Sequence, residues 1–269
     1  MQPQVLGRVL VSVLAASGLI WAVSGPTNAQ PPVSPSGTSS IFPLTAIPTA
    51  LSAPAPVAVE NPGIIAIGKK PFGKSYAGWA AAYWKWGLRI PADKNPLTDT
   101  TGEFADVNQF GPVWFVAGSL GSSVARDIVV PRGKVLFLPV FQSIFGSGVY
   151  DCAPTVPGVT CDVPTLKAAA AANLGLPGQV LDVTIDGVPV QNVDGYQAGS
   201  QHAFSVTYPE NSVLGVPAGT YFPQVANGYW LMLKPLSPGL HTIEARVFMP
   251  STPSFGTVDF TLTVNLTVQ

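Results

Sequence analysis

Val258-Asp259-Phe260-Thr261-Leu262-Thr263-Val264-Asn265-Leu266-Thr267-Val268 is the stretch that decides the fold. Phe260, Leu262, Val264, Leu266 and Val268 fall on one face, and Thr261, Thr263, Asn265 and Thr267 on the other. A strict period of two belongs to a strand with one side in a core and one in water. Reading backward from it, His241–Phe248, Gly228–Leu233 and His202–Tyr208 are expected as further strands. Val180–Ile185 and Val188–Gln191 flank Asp186-Gly187, a dipeptide that suits a two-residue hairpin turn. Leu236-Ser237-Pro238-Gly239-Leu240-His241-Thr242-Ile243 resembles the tight entry into a late strand of immunoglobulin-like sandwiches. Upstream, Val113–Ala117, Ala125–Val130 and Val135–Phe141 are short apolar runs separated by Gly118, Gly121, Pro131 and Gly133. Strands at this spacing predict a mainly β protein, an antiparallel β-sandwich of immunoglobulin-like or jelly-roll-like kind.

One segment breaks the β pattern. Within Ser75–Arg89, the residues Tyr76, Trp79, Tyr83 and Trp86 step by 3, 4 and 3 and share one helical face. Ala77, Ala81, Trp84 and Leu88 form a second row. Ser75 suits the N-cap, and Pro91 stops the helix. A helix apolar over most of its circumference is expected to be sandwiched against a sheet. Leu166–Leu174 is a second, Ala-rich helix, begun near Pro164-Thr165 and ended by Gly175.

The N-terminus sets the compartment. Arg8, the uncharged apolar run Val9–Val23 and the small-residue ending Pro26-Thr27-Asn28-Ala29 have the layout of a secretory signal peptide over residues 1–29. The apolar run is shorter than the roughly 20 residues a membrane-spanning helix needs, and no second such run follows. A secreted or periplasmic location without a transmembrane anchor is expected. Residues 30–62 are Pro-rich and read as an extended arm; 63–269 read as one β-rich domain with a sub-boundary near 175–179. In an exported chain Cys152 and Cys161 are expected to form a disulfide.

Only 10% of the 269 residues are charged and 47% are hydrophobic. No basic stripe exists, so nucleic acid is not an expected partner. The chain has no G-x-S-x-G, H-E-x-x-H, P-loop or G-x-G-x-x-G motif. His202 and His241 are candidates for general acid–base work, but structural roles account for isolated histidines equally well. The loop 93–109 carries Asp93, Asp99, Glu103 and Asp106, enough oxygen donors to make calcium the one cofactor to test. Trp79, Tyr83, Trp86 and Trp114 are candidate binding residues, because exposed rings stack on sugars. Their helical spacing equally suits a helix–sheet interface. Asp93, Asp99, Glu103 and Asp127 are candidate carboxylates for cleaving a glycosidic bond.

The blocks Ser75–Trp79 through Trp84-Lys85-Trp86, Ile90-Pro91, Asn95-Pro96-Leu97, Asp99-Thr100-Thr101-Gly102, Gln109-Phe110-Gly111-Pro112-Val113-Trp114-Phe115-Val116-Ala117-Gly118 and Val130-Pro131-Arg132-Gly133-Lys134-Val135-Leu136-Phe137-Leu138-Pro139-Val140 resemble a group of exported bacterial proteins with no assigned activity. The resemblance implies bacterial export and, in relatives, two further cysteines flanking the Gly-Pro-Val-Trp-Phe strand, where this chain has Phe104-Ala105 and Asp127-Ile128. It implies no catalytic residue. The expected function is therefore a secreted, non-enzymatic β-sandwich protein that binds a ligand, such as a glycan, or a cell-envelope component. A carbohydrate-active hydrolase or lyase using carboxylates of the 93–127 region is the alternative, and a structural or assembly component of the cell surface a third.

Overall fold

Alternating apolar residues pair into two sheets. The computed structural model describes Asn61 and residues 63–149, 162–251 and 256–269. The expected signal peptide, most of the Pro-rich arm and the Cys152–Cys161 bridge lie outside the described residues. Asn61, at the end of the arm, is buried. Its Nδ2 donates to the Gln191 carbonyl at 2.8 Å, and the Gln191 N–H donates to its Oδ1 at 2.7 Å.

The four-stranded sheet contains β1 (Val113–Phe115), β3 (Val135–Gly146), β7 (Gly219–Leu233) and β6 (Phe204–Tyr208), in that order. The five-stranded sheet runs β2 (Val124–Val130), β9 (Val258–Val268), β8 (Gly239–Met249), β4 (Val180–Ile185) and β5 (Val188–Pro189). Most pairs are antiparallel, but β1 pairs with β3 and β2 with β9 in parallel. β9 buries Phe260, Leu262, Val264, Leu266 and Val268, the row its alternation marks. β8 contributes Ile243, Ala245, Val247 and Met249 to the same side. The hairpin at Asp186-Gly187 has φ of 51° and 74° at the two positions, the left-handed geometry of a type I′ turn.

Helix α1 (Tyr76–Leu88) lies on the four-stranded sheet. Ser75 caps it, its side chain accepting from the Gly78 N–H at 3.3 Å. Asn95 closes the other end: Nδ2 donates to the Gly87 and Ile90 carbonyls at 2.8 and 2.7 Å. The first row of α1 is buried, and in the second Trp84 and Leu88 are buried while Ala77 and Ala81 are half-buried, so loops as well as the sheet cover the helix. α2 (Val163–Ala171) starts one to two residues before the expected Pro164-Thr165. The Asp162 carboxylate caps it by accepting from the Thr165 N–H and hydroxyl at 2.9 and 2.8 Å. Leu166 and Ala170 of α2 pack on Val225. The segment 175–179 is tied to β7, with the Gly175 N–H and Gln179 Nε2 donating to the Tyr229 hydroxyl at 2.9 and 3.1 Å.

Candidate functional site

Trp79, Tyr83, Trp86 and Trp114 are interior residues, none more than 7% exposed. Tyr83 meets Trp230, Phe115, Trp84 and Trp86, with ring centroids 5.3–6.0 Å apart. The Trp79 and Trp86 indoles donate to the Pro71 and Val107 carbonyls at 3.1 and 3.0 Å. Trp79, Tyr83 and Trp86 seal the helix–sheet interface, and Trp114 is buried on β1, so none of the four presents an open stacking surface to a ligand.

Nor do Asp93, Asp99, Glu103 and Asp106 converge as a calcium set. Asp93 is exposed on the single turn Ala92–Lys94. Asp99 is buried and spent on its own loop, its two oxygens accepting from the N–H groups of Thr101, Gly102 and Phe104 and from the Thr101 hydroxyl at 2.8–3.0 Å. Burial acts to raise the Asp99 pKa, but these donors outweigh it and hold the carboxyl below its ordinary value. Among the described residues no group of three or more His, Cys, Asp and Glu side chains could hold a metal ion.

Glu103 and Asp106 do face a groove, together with Asp127 of β2. The groove is about 460 Å³, and Gly102, Ala105, Trp114, Val129, Pro131 and Gln269 complete its lining. The turn carrying the two acids sits tightly on the β2 edge. The Asp127 N–H donates to the Thr101 carbonyl at 2.9 Å. Gly102 has φ of 98°, and a Cβ there would lie 2.2 Å from the Asp127 carbonyl oxygen, so glycine alone permits this approach. Asp127 is held by Asn265, whose Nδ2 donates to Oδ1 at 2.8 Å. The groove thus has three carboxylates and no cationic side chain among its lining residues.

Two polar constructions carry no warning in the sequence. Arg126 points inward from β2 and is buried, with Nε donating to the Asp99 carbonyl at 2.6 Å and Nη1 to the Ala117 and Gly118 carbonyls at 2.6 and 3.0 Å. Burial lowers its pKa, with Tyr83 and Asp99 acting in opposition. The Gly118 N–H donates to the Tyr83 hydroxyl at 2.8 Å, so one loop links α1 to β2. Burial pushes the Tyr83 hydroxyl up to about 12.

The second construction joins Asp186, His241 and Ser237. His241 Nδ1 lies 2.7 Å from Asp186 Oδ2, and Nε2 lies 2.9 Å from the Ser237 carbonyl and 3.3 Å from its hydroxyl. Asp186 raises the His241 pKa against the effect of burial, and the Ser237 carbonyl adds to it. Burial acts to raise Asp186, but His241 and the Thr242 N–H bring it below its ordinary value. When the ring is protonated both nitrogens donate, to a carboxylate and a carbonyl, and the imidazolium clasps two loops. His202 lies exposed in the bend before β6.

The fold and site define a two-sheet β-sandwich with a helical layer and an acidic surface groove. No family model and no curated protein matches the chain. Among solved structures it is similar to PbICP-C in complex with falcipain-2, at 13% identity over 59% of this chain and all of the other, with a TM-score of 0.20. It is similar also to the cysteine protease inhibitor EhICP2 from Entamoeba histolytica, at 13% identity over 54% of this chain and 86% of the other, with a TM-score of 0.19. The solution structure of Amebosin aligns at 15% identity over 55% of this chain and 97% of the other, with a TM-score of 0.16. Likeness at this level carries no functional argument.

Proposed function

We propose that this chain is a non-enzymatic binding protein of the extracytoplasmic space that recognises a component of the cell envelope. The observation that carries the reading is the commitment of the chemistry-bearing groups. Asp99 is filled by four donors, Arg126 by three carbonyls and His241 by Asp186 and the Ser237 carbonyl. These groups build structure, and the outer surface is left for recognition. The signal-like segment and the resemblance to exported bacterial proteins support the location. Among the described residues no helix is long and apolar enough to cross a membrane.

One observation favours a second reading: Glu103, Asp106 and Asp127 share one groove. Glycoside cleavage needs two carboxyl groups on the order of 5–10 Å apart across a sugar. Trp114, the aromatic residue of that lining, is buried and offers no open ring face for a sugar.

The test is incubation of the full chain with peptidoglycan, phospholipid vesicles and neutral polysaccharide, measuring both retention and released product. Saturable retention without product supports the binding reading. Product release that disappears in Glu103→Gln or Asp127→Asn establishes the hydrolase instead.

A further inference from the structure

The topology gathers one end of the sandwich from distant stretches of chain. β1 and β3 start there side by side, with Val113 opposite Val135, and β7 ends there, with Leu233 opposite Leu136. β2 and β9 end there with Val130 opposite Val268, and β8 begins there with Gly239 opposite Val268. The entry to α1 reaches the same end: Ile64 bridges Leu233, the Ile65 N–H donates to the Met232 carbonyl at 2.8 Å, and the Lys234 N–H donates to Gly63 at 2.8 Å.

This end therefore collects Lys69, Lys70, Lys74, Arg132, Lys134 and Lys234, six of the chain's 13 Lys and Arg residues. All are exposed except Lys134, which is half-buried and donates to the Gly111 carbonyl. Phe110 is 76% exposed, Leu240 83% and Phe72 53%. Phe72 adopts φ 53° and ψ 33°, a left-handed conformation that bulky residues seldom occupy. The Trp79 indole holds the preceding Pro71 carbonyl, and the Phe72 ring stands edge-on to Trp79 at 6.4 Å. The backbone is thus fixed in a conformation that turns half of a phenyl ring outward. The acidic residues at this end are Glu103, Asp106 and Asp127, on the groove that Val129, Pro131 and Gln269 also line, and Asp186, which is paired with His241.

Exposed phenyl rings and a leucine amid lysines match the interfacial layer of an anionic membrane, where rings enter the headgroup boundary and ammonium groups meet phosphates. We propose that this end of the sandwich docks on an anionic phospholipid surface, an inference that rests on the binding reading above and names its partner. A soluble polyanion would use the lysines and leave Phe72, Phe110 and Leu240 without a role.

The experiment is co-sedimentation of the full chain with vesicles of phosphatidylcholine alone and of phosphatidylcholine mixed with phosphatidylglycerol. Comparing variants in the full chain cancels the contribution of the N-terminal segment. The chain is expected to prefer the phosphatidylglycerol vesicles. Lys69→Gln/Lys70→Gln/Lys234→Gln should weaken that binding at least about tenfold. Phe110→Ser should weaken it in high salt, where the charges are screened. Lys94→Gln, at the end where the Ala92 N–H meets the Asn211 carbonyl, should change nothing. Equal binding to both vesicles, or a triple variant that binds like wild type, overturns the proposal. So does full displacement by soluble polyphosphate with Phe110→Ser indistinguishable from wild type. A wild-type chain that binds neither vesicle yet is retained on peptidoglycan would overturn the lipid surface alone; a wild-type chain that binds neither vesicles nor peptidoglycan would remove the binding reading as well.

Discussion

Tyr83 and Trp230 meet edge to face, their ring centroids 5.3 Å apart and their planes at 68°. Trp230 in turn stacks on Phe137 at 5.2 Å with the planes 9° apart. Three elements, α1, β7 and β3, are thereby joined through one line of rings. Aromatic pairs of this geometry each add roughly 0.5–1.5 kcal/mol beyond area burial. This line fixes the helix on the sheet and withdraws its rings from ligand binding.

Tyr83→Phe keeps the ring and deletes the acceptor of the Gly118 N–H. The orphaned donor should cost about 1–3 kcal/mol, and Tyr83→Ala about 3–5 kcal/mol. Urea unfolding checks both. Equal losses for the two variants would show that the hydroxyl, and not the ring, carries the contact.

Arg126→Met removes the donor from three main-chain carbonyls at once. Stability should fall by about 3 kcal/mol or more, and Arg126→Lys should not restore it, because one ammonium cannot reproduce the planar fork. A Met variant as stable as wild type would mean that apolar packing can replace the hydrogen bonds.

Gly102→Ala should unseat the turn that carries Glu103 and Asp106. The added Cβ meets main-chain atoms of β2, and the residue must also keep a positive φ. The expected result is a stability loss of about 2 kcal/mol or more, with faster amide exchange over 101–106 and at Asp127. Unchanged exchange at Asp127 would show that the turn is not held on the strand.

The Asp186–His241 pair predicts a defined pH dependence. His241 is raised, so its contribution is complete below the unfolded-state value of about 6.5 and is lost as pH climbs through the higher folded value. Asp186 is lowered, so its contribution is complete above about 3.9 and is lost as pH falls through the lower folded value. The clasp is therefore strongest between those two limits. His241→Gln should flatten the part of the Tm profile that declines above about pH 6.5. Parallel wild-type and variant profiles would show that the pair contributes nothing to folding.

Much of the architecture was legible because local patterns agreed with it. The 3-4-3 spacing of rings placed α1, and the alternation of β9 placed a strand with the correct face inward. Asp186-Gly187 announced its turn. The full length of β7 was not legible, because Pro223, Asn227 and Gly228 interrupt its apolar run; the strand persists through pairing with β3, which extends to Gly146. Parallel pairing of β1 with β3 and β2 with β9 is a non-local choice that no short window encodes. Arg126 binds only main-chain carbonyls, so no partner side chain marks it. The groove is assembled from 102–106, β1, β2 and Gln269, and its carboxylates read in sequence as an ordinary polar loop.

The central claim is that the rings of α1 are interior and that recognition happens elsewhere on the surface. The most direct measurement is fluorine NMR of the chain labelled with 5-fluorotryptophan. Each signal would be assigned by a single Trp→Phe substitution, and a soluble paramagnetic quencher would then be added. Resonances of Trp79, Trp84, Trp86, Trp114 and Trp230 should keep their linewidths. Broadening of Trp79, Trp84 or Trp86 to the extent seen for free tryptophan would contradict the account.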